Sequence, residues 1–181
     1  MSRVDSNYER KERDAYQSPP WVAEALVKAI PRQKRCFVWE PACGEGSIVK
    51  ALADAEHHVH ATDIVDGENF FDFRQEPHRD IDGIVTNPPY TDCSVFIDHA
   101  LDLMHKLNGF VVLLLPVDYD SAKTRRALFA DCPIFAKKIA LTQRIVWFER
   151  SDGKPAAPSE NHAIYVWDHR HMGRPGYGWA P

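Results

Sequence analysis

Several features that assign a protein to a class are missing from this sequence. Its four cysteines form no CxxC pair and have no disulfide-like spacing, so a disulfide framework is not indicated. No apolar run is long enough to cross a membrane, and the longest lies at 110–116. The N-terminus is charged and carries no signal peptide. Together these absences predict a cytoplasmic protein with reduced thiols and no membrane contact.

An excess of positive charge is also absent. The net charge is −4, so no global basic field attracts nucleic acid, and any such contact must come from local patches or from a partner. The histidine-rich stretches 57–60 and 168–171 lack the spacing of zinc ligands, and no metal site is predicted. What is present, 181 residues of which 44% are hydrophobic, suffices for one domain with a sizeable core.

The chain divides into three parts by composition. Residues 1–15 are polar, with Arg10, Lys11 and Arg13 close together, which predicts a flexible basic arm that is either frayed or in contact with phosphate. Residues 16–168 are predicted to form a single domain. Residues 169–181 are rich in glycine and proline, and we expect an irregular tail.

Within 16–168, apolar runs of strand length alternate with segments of helical periodicity. Ser18 and Pro19 are suited to open the first helix. The predicted helices are 19–30, 47–53, 95–107 and a capped helix at 120–129 with a basic side. The predicted strands are 36–39, 58–64, 81–86, 110–115, 134–141, 144–148 and 163–167, the last two as an antiparallel pair.

A glycine turn follows the first predicted strand. Gly44 and Gly46 allow a close backbone approach, and the next helix supplies unpaired N–H groups. The turn lacks the GxGxxG pattern and a Walker lysine, which argues against a triphosphate. Glu40 and Glu45 flank it and are suited to a ligand with a positive end.

Two acids follow at informative positions. Asp63 comes about twenty residues after the glycine turn, the spacing at which an acid binds a ribose diol; the alternative is an aspartate that caps a loop. In Asn69–Phe73, Asp72 stands among phenylalanines. That group is suited to an adenine ring, and the alternative is a loop anchored by its aromatic residues.

The sequence Asn87-Pro88-Pro89-Tyr90 follows a buried apolar run. The two prolines fix the backbone at the carboxyl end of a predicted strand, where open α/β sheets bind ligands. The segment, here called the hook, offers an amide, two carbonyls and an aromatic ring. These groups suit a planar amine, although a proline-rich turn is the alternative.

The order of these motifs resembles the S-adenosylmethionine-dependent amino-methyltransferases with an NPPY motif. The likeness covers roughly residues 16–116 and is greatest to the compact, phage-type DNA adenine-N6 methyltransferases. It implies a Rossmann-like class I methyltransferase fold: a seven-stranded, mostly parallel sheet, an antiparallel last strand, and helices on both faces. It also implies an enzyme that uses S-adenosyl-L-methionine to methylate an exocyclic amine, with N6 of adenine in DNA as the first expectation.

The resemblance assigns roles residue by residue. The expected catalytic residues are Asn87, Pro88, Pro89 and Tyr90. The expected cofactor-binding residues are Tyr16, Gln17, Ser18, Pro19, Glu40, Pro41, Ala42, Cys43, Gly44, Gly46, Asp63, Ile64, Asp72, Phe73, Asn87 and Phe96. Candidate substrate contacts are Lys123, Arg126, Trp147 and Phe148.

Three substrates or roles remain open at this stage. DNA is the expected partner, but the chain has no room for a large recognition domain, so a partner subunit or a homodimer is a candidate source of target recognition. An RNA base or a protein glutamine presents a similar planar nitrogen. A catalytically silent binding subunit with the same fold is the alternative outside enzymology, and the intact hook argues against it.

Overall fold

The computed structural model describes residues 17–75, 77–78, 80–147 and 160–181. Its three α-helices are α1 Pro20–Lys28, α2 Ser47–Asp54 and α3 Cys93–His105. Its seven strands are β1 Phe37–Glu40, β2 His58–Ala61, β3 Gly83–Thr86, β4 Phe110–Pro116, β5 Phe135–Leu141, β6 His162–Asp168 and β7 Gly176–Ala180. Short 3-10 helices occupy Ile64–Asp66, Phe70–Asp72, Tyr119–Ser121 and Lys123–Leu128.

The seven strands form one sheet in the order β2-β1-β3-β4-β6-β5-β7. All neighbouring pairs are parallel except those that include β6, which runs antiparallel to both β4 and β5. The expected seven-stranded, mostly parallel sheet is therefore confirmed. Its antiparallel strand, β6, contains the predicted strand 163–167.

Helices cover both faces because the central strands are apolar on both sides. Leu26 of α1 and Leu52 of α2 belong to one core cluster together with Val112 and Leu114 of β4. The other cluster joins α3 to the alternate β4 residues Val111, Leu113 and Leu115. All described residues of β4 except Pro116 are buried, as the continuous apolar run predicts.

An ion pair between distant parts of the chain closes the sheet at the amino ends of its parallel strands. Arg32, just after α1, donates two hydrogen bonds of 2.5 and 2.7 Å to the carboxylate of Asp168. Asp168 ends β6 and lies opposite Phe110, the first residue of β4. The side chains of the pair are only 11% and 9% exposed. This contact therefore joins the residues that follow α1 to the end of β6 and is largely shielded from solvent.

The prediction of a strand at 144–148 is wrong for its described part, 144–147, which forms no ladder. After β5 the chain turns at Thr142, whose N–H donates to the carbonyl of Ala180. The strand that pairs with β6 on the side away from β4 is β5, and not 144–148.

The expected irregular tail 169–181 contains a strand, β7, so this expectation is also wrong. Gly176 and Gly178 lower the intrinsic strand propensity. Parallel pairing with β5 over five positions, from Lys137 with Gly176 to Leu141 with Ala180, overrides it.

The expected α-helix at 120–129 is two 3-10 segments. Ala122 adopts an extended conformation (φ −88°, ψ 134°) and separates them. The guanidinium of Arg125 donates to the carbonyl of Tyr119, a local bond that favours the tighter turn.

No helix in the described ranges combines the length and apolarity needed to cross a bilayer. Among the same residues, no group of three or more histidine, cysteine, aspartate or glutamate side chains is arranged to hold a metal ion.

Candidate active site

The motifs singled out in the sequence follow adjacent parallel strands. β1 lies between β2 and β3, so the glycine turn after β1, the aspartate after β2 and the hook after β3 all start at one edge of the sheet. Parallel strands put their carboxyl ends on the same side, where open α/β sheets bind ligands. We call this side the hook edge.

The glycine turn is tied to the loop after β2. Gly44 has a left-handed backbone (φ +50°) and Gly46 likewise (φ +83°), conformations that favour glycine. The N–H of Gly44 donates to a carboxylate oxygen of Asp63 at 2.8 Å. The N–H of Cys43 donates to the carbonyl of Thr62 at 3.1 Å. These two bonds join the glycine turn to the loop after β2.

The segment before α1 closes the other side of the turn. The side-chain oxygen of Gln17 accepts the N–H of Glu45 at 3.1 Å. Ser47 Oγ donates to the carbonyl of Ser18 at 2.7 Å. Pro19 is the N-cap of α1, one position later than the capping serine that the sequence predicts. Tyr16, the first residue expected in this segment, lies outside the described residues.

Asp63 performs the capping role that the sequence left open. One carboxylate oxygen accepts from Gly44, and the other accepts the N–H of Val65 at 3.0 Å. Each oxygen keeps further acceptor capacity, so these bonds orient the carboxylate and leave a ribose role as a prediction. The residue is 8% exposed, while the next residue, Ile64, is 51% exposed at the mouth of the loop.

Glu40 ends β1 and none of its surface is exposed. Burial raises the pKa of its carboxyl group to about 8, and the hydroxyl of Thr86 and the N–H of Ala42 lower it to a smaller extent. The contact with Thr86 also places Glu40 beside the residue that precedes the hook. An acid held here is a ready counter-charge for a cation, because a nearby positive charge favours the carboxylate.

The remaining residues of the turn have graded exposure. Pro41 is buried, Ala42, Cys43 and Gly46 are half-buried, and Gly44 is exposed. Gly44 is the exposed position among these, and it presents backbone rather than a side chain to a ligand.

The expected adenine-binding residues lie beside β1 but differ in exposure. The Phe73 ring packs edge-on against Trp39 at 4.9 Å between centroids. Asp72 is exposed. Phe96 is 2% exposed and stacks on Phe70 at 4.3 Å, so in this conformation its ring is covered by core residues. Their roles toward an adenine remain predictions.

The hook leads out of β3 with Pro88 buried and Asn87, Pro89 and Tyr90 half-buried. The Tyr90 ring lies 6.0 Å from the imidazole of His162. His162 begins β6, and because β6 runs antiparallel its first residue reaches the hook edge.

A ring cluster therefore stands beside the hook: Tyr90, His162 and Trp147, whose indole lies 5.3 Å from the imidazole. His162 is 2% exposed, and burial lowers the pKa of its imidazole to about 4, so the ring is neutral near pH 7. Sequence reasoning missed His162, because an isolated histidine before an apolar run carries no signal. Phe148, the other aromatic candidate, lies outside the described residues.

The two basic candidates are on the 3-10 segment after β4. Arg126 is exposed and donates two hydrogen bonds, of 3.0 and 2.7 Å, to Asp131. Lys123 is also exposed. Arg126 thus has an acidic partner that a phosphate must displace.

The residues at this edge suit a ligand with a cationic end and a diol. Asp63 supplies acceptor oxygens beside the glycine turn, and the buried Glu40 precedes it. A Cβ at Gly44 would lie 3.2 Å from the Gln17 side chain, so a larger residue would narrow the space at this position. S-adenosylmethionine has an ammonium, a sulfonium and a ribose, so the acidic side chains at this edge fit it.

Two solved structures that superpose on this chain carry the name of a methyltransferase. The methyltransferase subunit of a type I restriction-modification system from Streptococcus thermophilus superposes with a TM-score of 0.57 at 13% identity, covering 91% of this chain and 47% of that one. Precorrin-6y C5,15-methyltransferase from Geobacter metallireducens superposes with a TM-score of 0.53 at 14% identity, covering 91% of this chain and 95% of that one. The chain thus spans about half the length of the Streptococcus subunit.

No protein-family model matches the sequence, and no curated protein matches it. At 13–14% identity the likeness concerns architecture. The chain has the Rossmann-like class I methyltransferase fold.

Proposed function

We propose that the protein is an S-adenosylmethionine-dependent methyltransferase that acts on an exocyclic amine, with N6 of adenine in DNA as its substrate. The observation that carries the proposal is the convergence of two motifs on neighbouring strands. The acid-flanked glycine turn follows β1, and the hook follows β3, the strand that pairs with β1. The shared fold with two methyltransferases supports the methyl-transfer part.

The cofactor-binding half of the proposal rests on the turn and its acids. Asp63, already oriented by Gly44 and Val65, accepts hydrogen bonds from the ribose hydroxyls. Glu40 provides negative charge beside the cationic amino-acid end. Asp72 and Phe73 bind the adenine. S-adenosylmethionine, when bound, supplies an electrophilic methyl group.

The hook activates the amine. The lone pair of an aromatic amine is delocalised into its ring, which makes the nitrogen a weak nucleophile. The side-chain oxygen of Asn87 and the carbonyl of Pro88 accept hydrogen bonds from its two N–H groups, which favours a tetrahedral nitrogen with a localised lone pair. Because the hook is rigid, positioning supplies much of the rate.

The ring cluster binds the target base. Tyr90 stacks on one face, and the neutral His162 holds Tyr90 and Trp147 at fixed positions. A base in a duplex must leave the stack to reach this edge. The restriction-modification origin of one structural neighbour is consistent with DNA as the polymer.

Two substitutions test the two halves separately. Asn87→Ala is expected to reduce methyl transfer at least ~100-fold, the usual contribution of a positioned polar group, with cofactor affinity close to that of the wild type. Asp63→Ala is expected to weaken cofactor binding measured by calorimetry. Transfer of tritiated methyl groups to unmethylated DNA, total RNA and release-factor protein identifies the substrate.

For each of these experiments, one result would contradict the proposal. Full turnover by the Asn87 variant rejects the hook chemistry. Unchanged affinity in the Asp63 variant removes that residue from the cofactor site. Label in RNA or protein alone replaces DNA as the substrate, and cofactor binding without transfer to any of the three favours a silent binding subunit.

A further inference from the structure

One face of β7, which lies at an edge of the sheet, carries an exposed aromatic pair that the proposed reaction does not use. Tyr177 is 56% exposed and Trp179 is 71% exposed. They alternate with glycines, so both side chains point to the same face of the strand, and their rings meet edge-on at 5.2 Å between centroids. Within the described ranges β7 pairs only with β5. Two large rings so placed are a candidate binding surface.

The segment that carries this pair is basic in composition although the whole chain is acidic. Residues 169–181 contain Arg170 and Arg174 and no acidic residue. Lys137 of β5 runs alongside the glycines, and a Cβ at Gly178 would lie 3.5 Å from its Cε. The opposite face of the strand thus has a cation within reach of a phosphate.

Two acids of neighbouring elements are already paired. Asp120 accepts two 2.8 Å hydrogen bonds from Lys138, and Asp168 is bound by Arg32. Neither of these two carboxylates is free to repel a polyanion at this edge. A second copy of the chain would bring the same positive charge toward it, which disfavours self-association here.

The pair also lies at the right end of the sheet. β7 runs parallel to β5, so its carboxyl end, with Trp179, points to the hook edge. Thr142 fixes that end with two hydrogen bonds to the carbonyl of Ala180, at 2.8 and 3.0 Å. From β3 to β7 there are four strand spacings, about 19 Å in all. That span corresponds to about six nucleotides at a stacked rise of 3.4 Å.

We propose that Tyr177 and Trp179 form a stacking surface for unpaired bases of a nucleic-acid strand, with Lys137 and Arg174 contacting its phosphates. Exposed rings bind single strands with little sequence preference, because every base has a flat face. The surface would hold the strand several nucleotides from the base at the hook. Only this link to the hook rests on the proposed function.

The test uses a fluorescently labelled oligothymidine of about 12 nucleotides, within the usual site size of such surfaces. Thymine has no exocyclic amine, so its binding is independent of the hook chemistry. Fluorescence anisotropy at low and moderate salt compares the wild type with Tyr177→Ala/Trp179→Ala. We expect the double variant to bind about tenfold more weakly or worse, since each stacked base contributes ~1–3 kcal/mol.

Three further variants serve as controls. Met172→Ala removes a side chain that is 91% exposed in the same segment and should bind oligothymidine as the wild type does. Trp179→Phe keeps a ring and should retain most of the affinity. Asn87→Ala should bind normally, because the hook is not involved. Circular dichroism melting verifies that each variant is folded.

Three outcomes would overturn the proposal: a wild type that does not bind, a double variant that binds equally well, or equal weakening by Met172→Ala. Sedimentation addresses a second copy of the chain. If the double variant dissolves a dimer while oligothymidine affinity is unchanged, the edge is a protein interface. If the wild type transfers no methyl group yet binds in a Trp179-dependent way, the proposed function fails and the stacking surface stands.

Discussion

The carboxyl group of Glu40 shows how a single side chain links the stability of the protein to pH. It is fully buried at the end of β1, and burial raises its pKa to about 8. At a pH between the ordinary pKa of 4.5 and the folded pKa of about 8, the unfolded chain has released the proton from Glu40. The folded protein still holds that proton. Folding therefore takes up a proton across this range.

The free energy of unfolding should consequently fall as pH rises through this window. A native state that binds one more proton than the unfolded state loses at most about 1.4 kcal/mol per pH unit. The contribution is fully present below the unfolded pKa and is lost as pH rises through the folded one. Glu40→Gln should remove this slope. Urea unfolding of both proteins at several pH values between 4.5 and 8 measures it.

Glu45→Gln is the matched control, because Glu45 is exposed in the same turn. Its unfolding curve should follow that of the wild type at every pH. If the Glu40 variant also runs parallel to the wild type, Glu40 is ionised in the folded protein over this range, which contradicts the raised pKa.

For single residues, the sequence was informative where the spacing of side chains along the chain indicates a chemical role. Asp63 was singled out by its distance along the chain from the glycine turn, and the structure joins the two by a 2.8 Å hydrogen bond. The burial of Glu40 was not predicted, because it depends on β3 and its Thr86. His162 was missed for a related reason: it reaches the hook only through the reversed direction of β6.

Among the elements, β3 leads directly into the hook and tolerates little change. Gly83 opens it, and a Cβ there would lie 2.4–2.6 Å from the Phe110 ring of β4. Phe110 is fully buried, so its ring cannot move aside without displacing core residues.

We expect Gly83→Ala to destabilise the protein by about 1–3 kcal/mol, the usual cost of overpacking a core. Gly176→Ala in β7 is the matched control, since a Cβ there meets Lys137 Cγ at 3.7 Å, an ordinary contact. Thermal unfolding of the two variants gives the comparison. Equal melting temperatures would mean that β3 and β4 can move apart, which is incompatible with a rigid hook.

Elements with a long apolar run were predictable, and elements decided by pairing were not. β4 and α3 follow from hydrophobicity and helical spacing. β7 has two glycines in five residues and little intrinsic strand propensity, so only its pairing with β5 makes it a strand. The segment 144–147 has β-branched and aromatic residues but no strand beside it, because β7 takes the position next to β5.

For the whole molecule, the bidentate pair of Arg32 and Asp168 connects residues 136 positions apart. Burial alone raises the pKa of Asp168, but the hydrogen bonds from Arg32 and from the N–H of Arg170 bring it below its ordinary value. The pair therefore stabilises the fold above the unfolded pKa of the carboxyl group, and this contribution is lost as pH falls through the lowered pKa.

Asp168→Asn should cost about 3 kcal/mol, because it leaves Arg32 partly buried without its counter-charge. The double variant Arg32→Met/Asp168→Asn should recover part of this loss, which a double-mutant cycle of urea unfolding measures. The control is the exposed pair Arg35 and Glu56, with side chains 61% and 71% exposed, whose removal should have a much smaller effect because solvent screens the pair. Additive effects at Arg32 and Asp168 would contradict a coupled pair.

The direction of β6 has a consequence for how such a molecule can diversify. β5 ends and β6 begins at the same edge of the sheet, and Trp147 and Glu160, the described residues that follow β5 and precede β6, both lie on the side of the hook. A change in chain length between these two residues leaves every described ladder intact. Relatives with this strand order can therefore gain or lose residues at this point without any new pairing of strands.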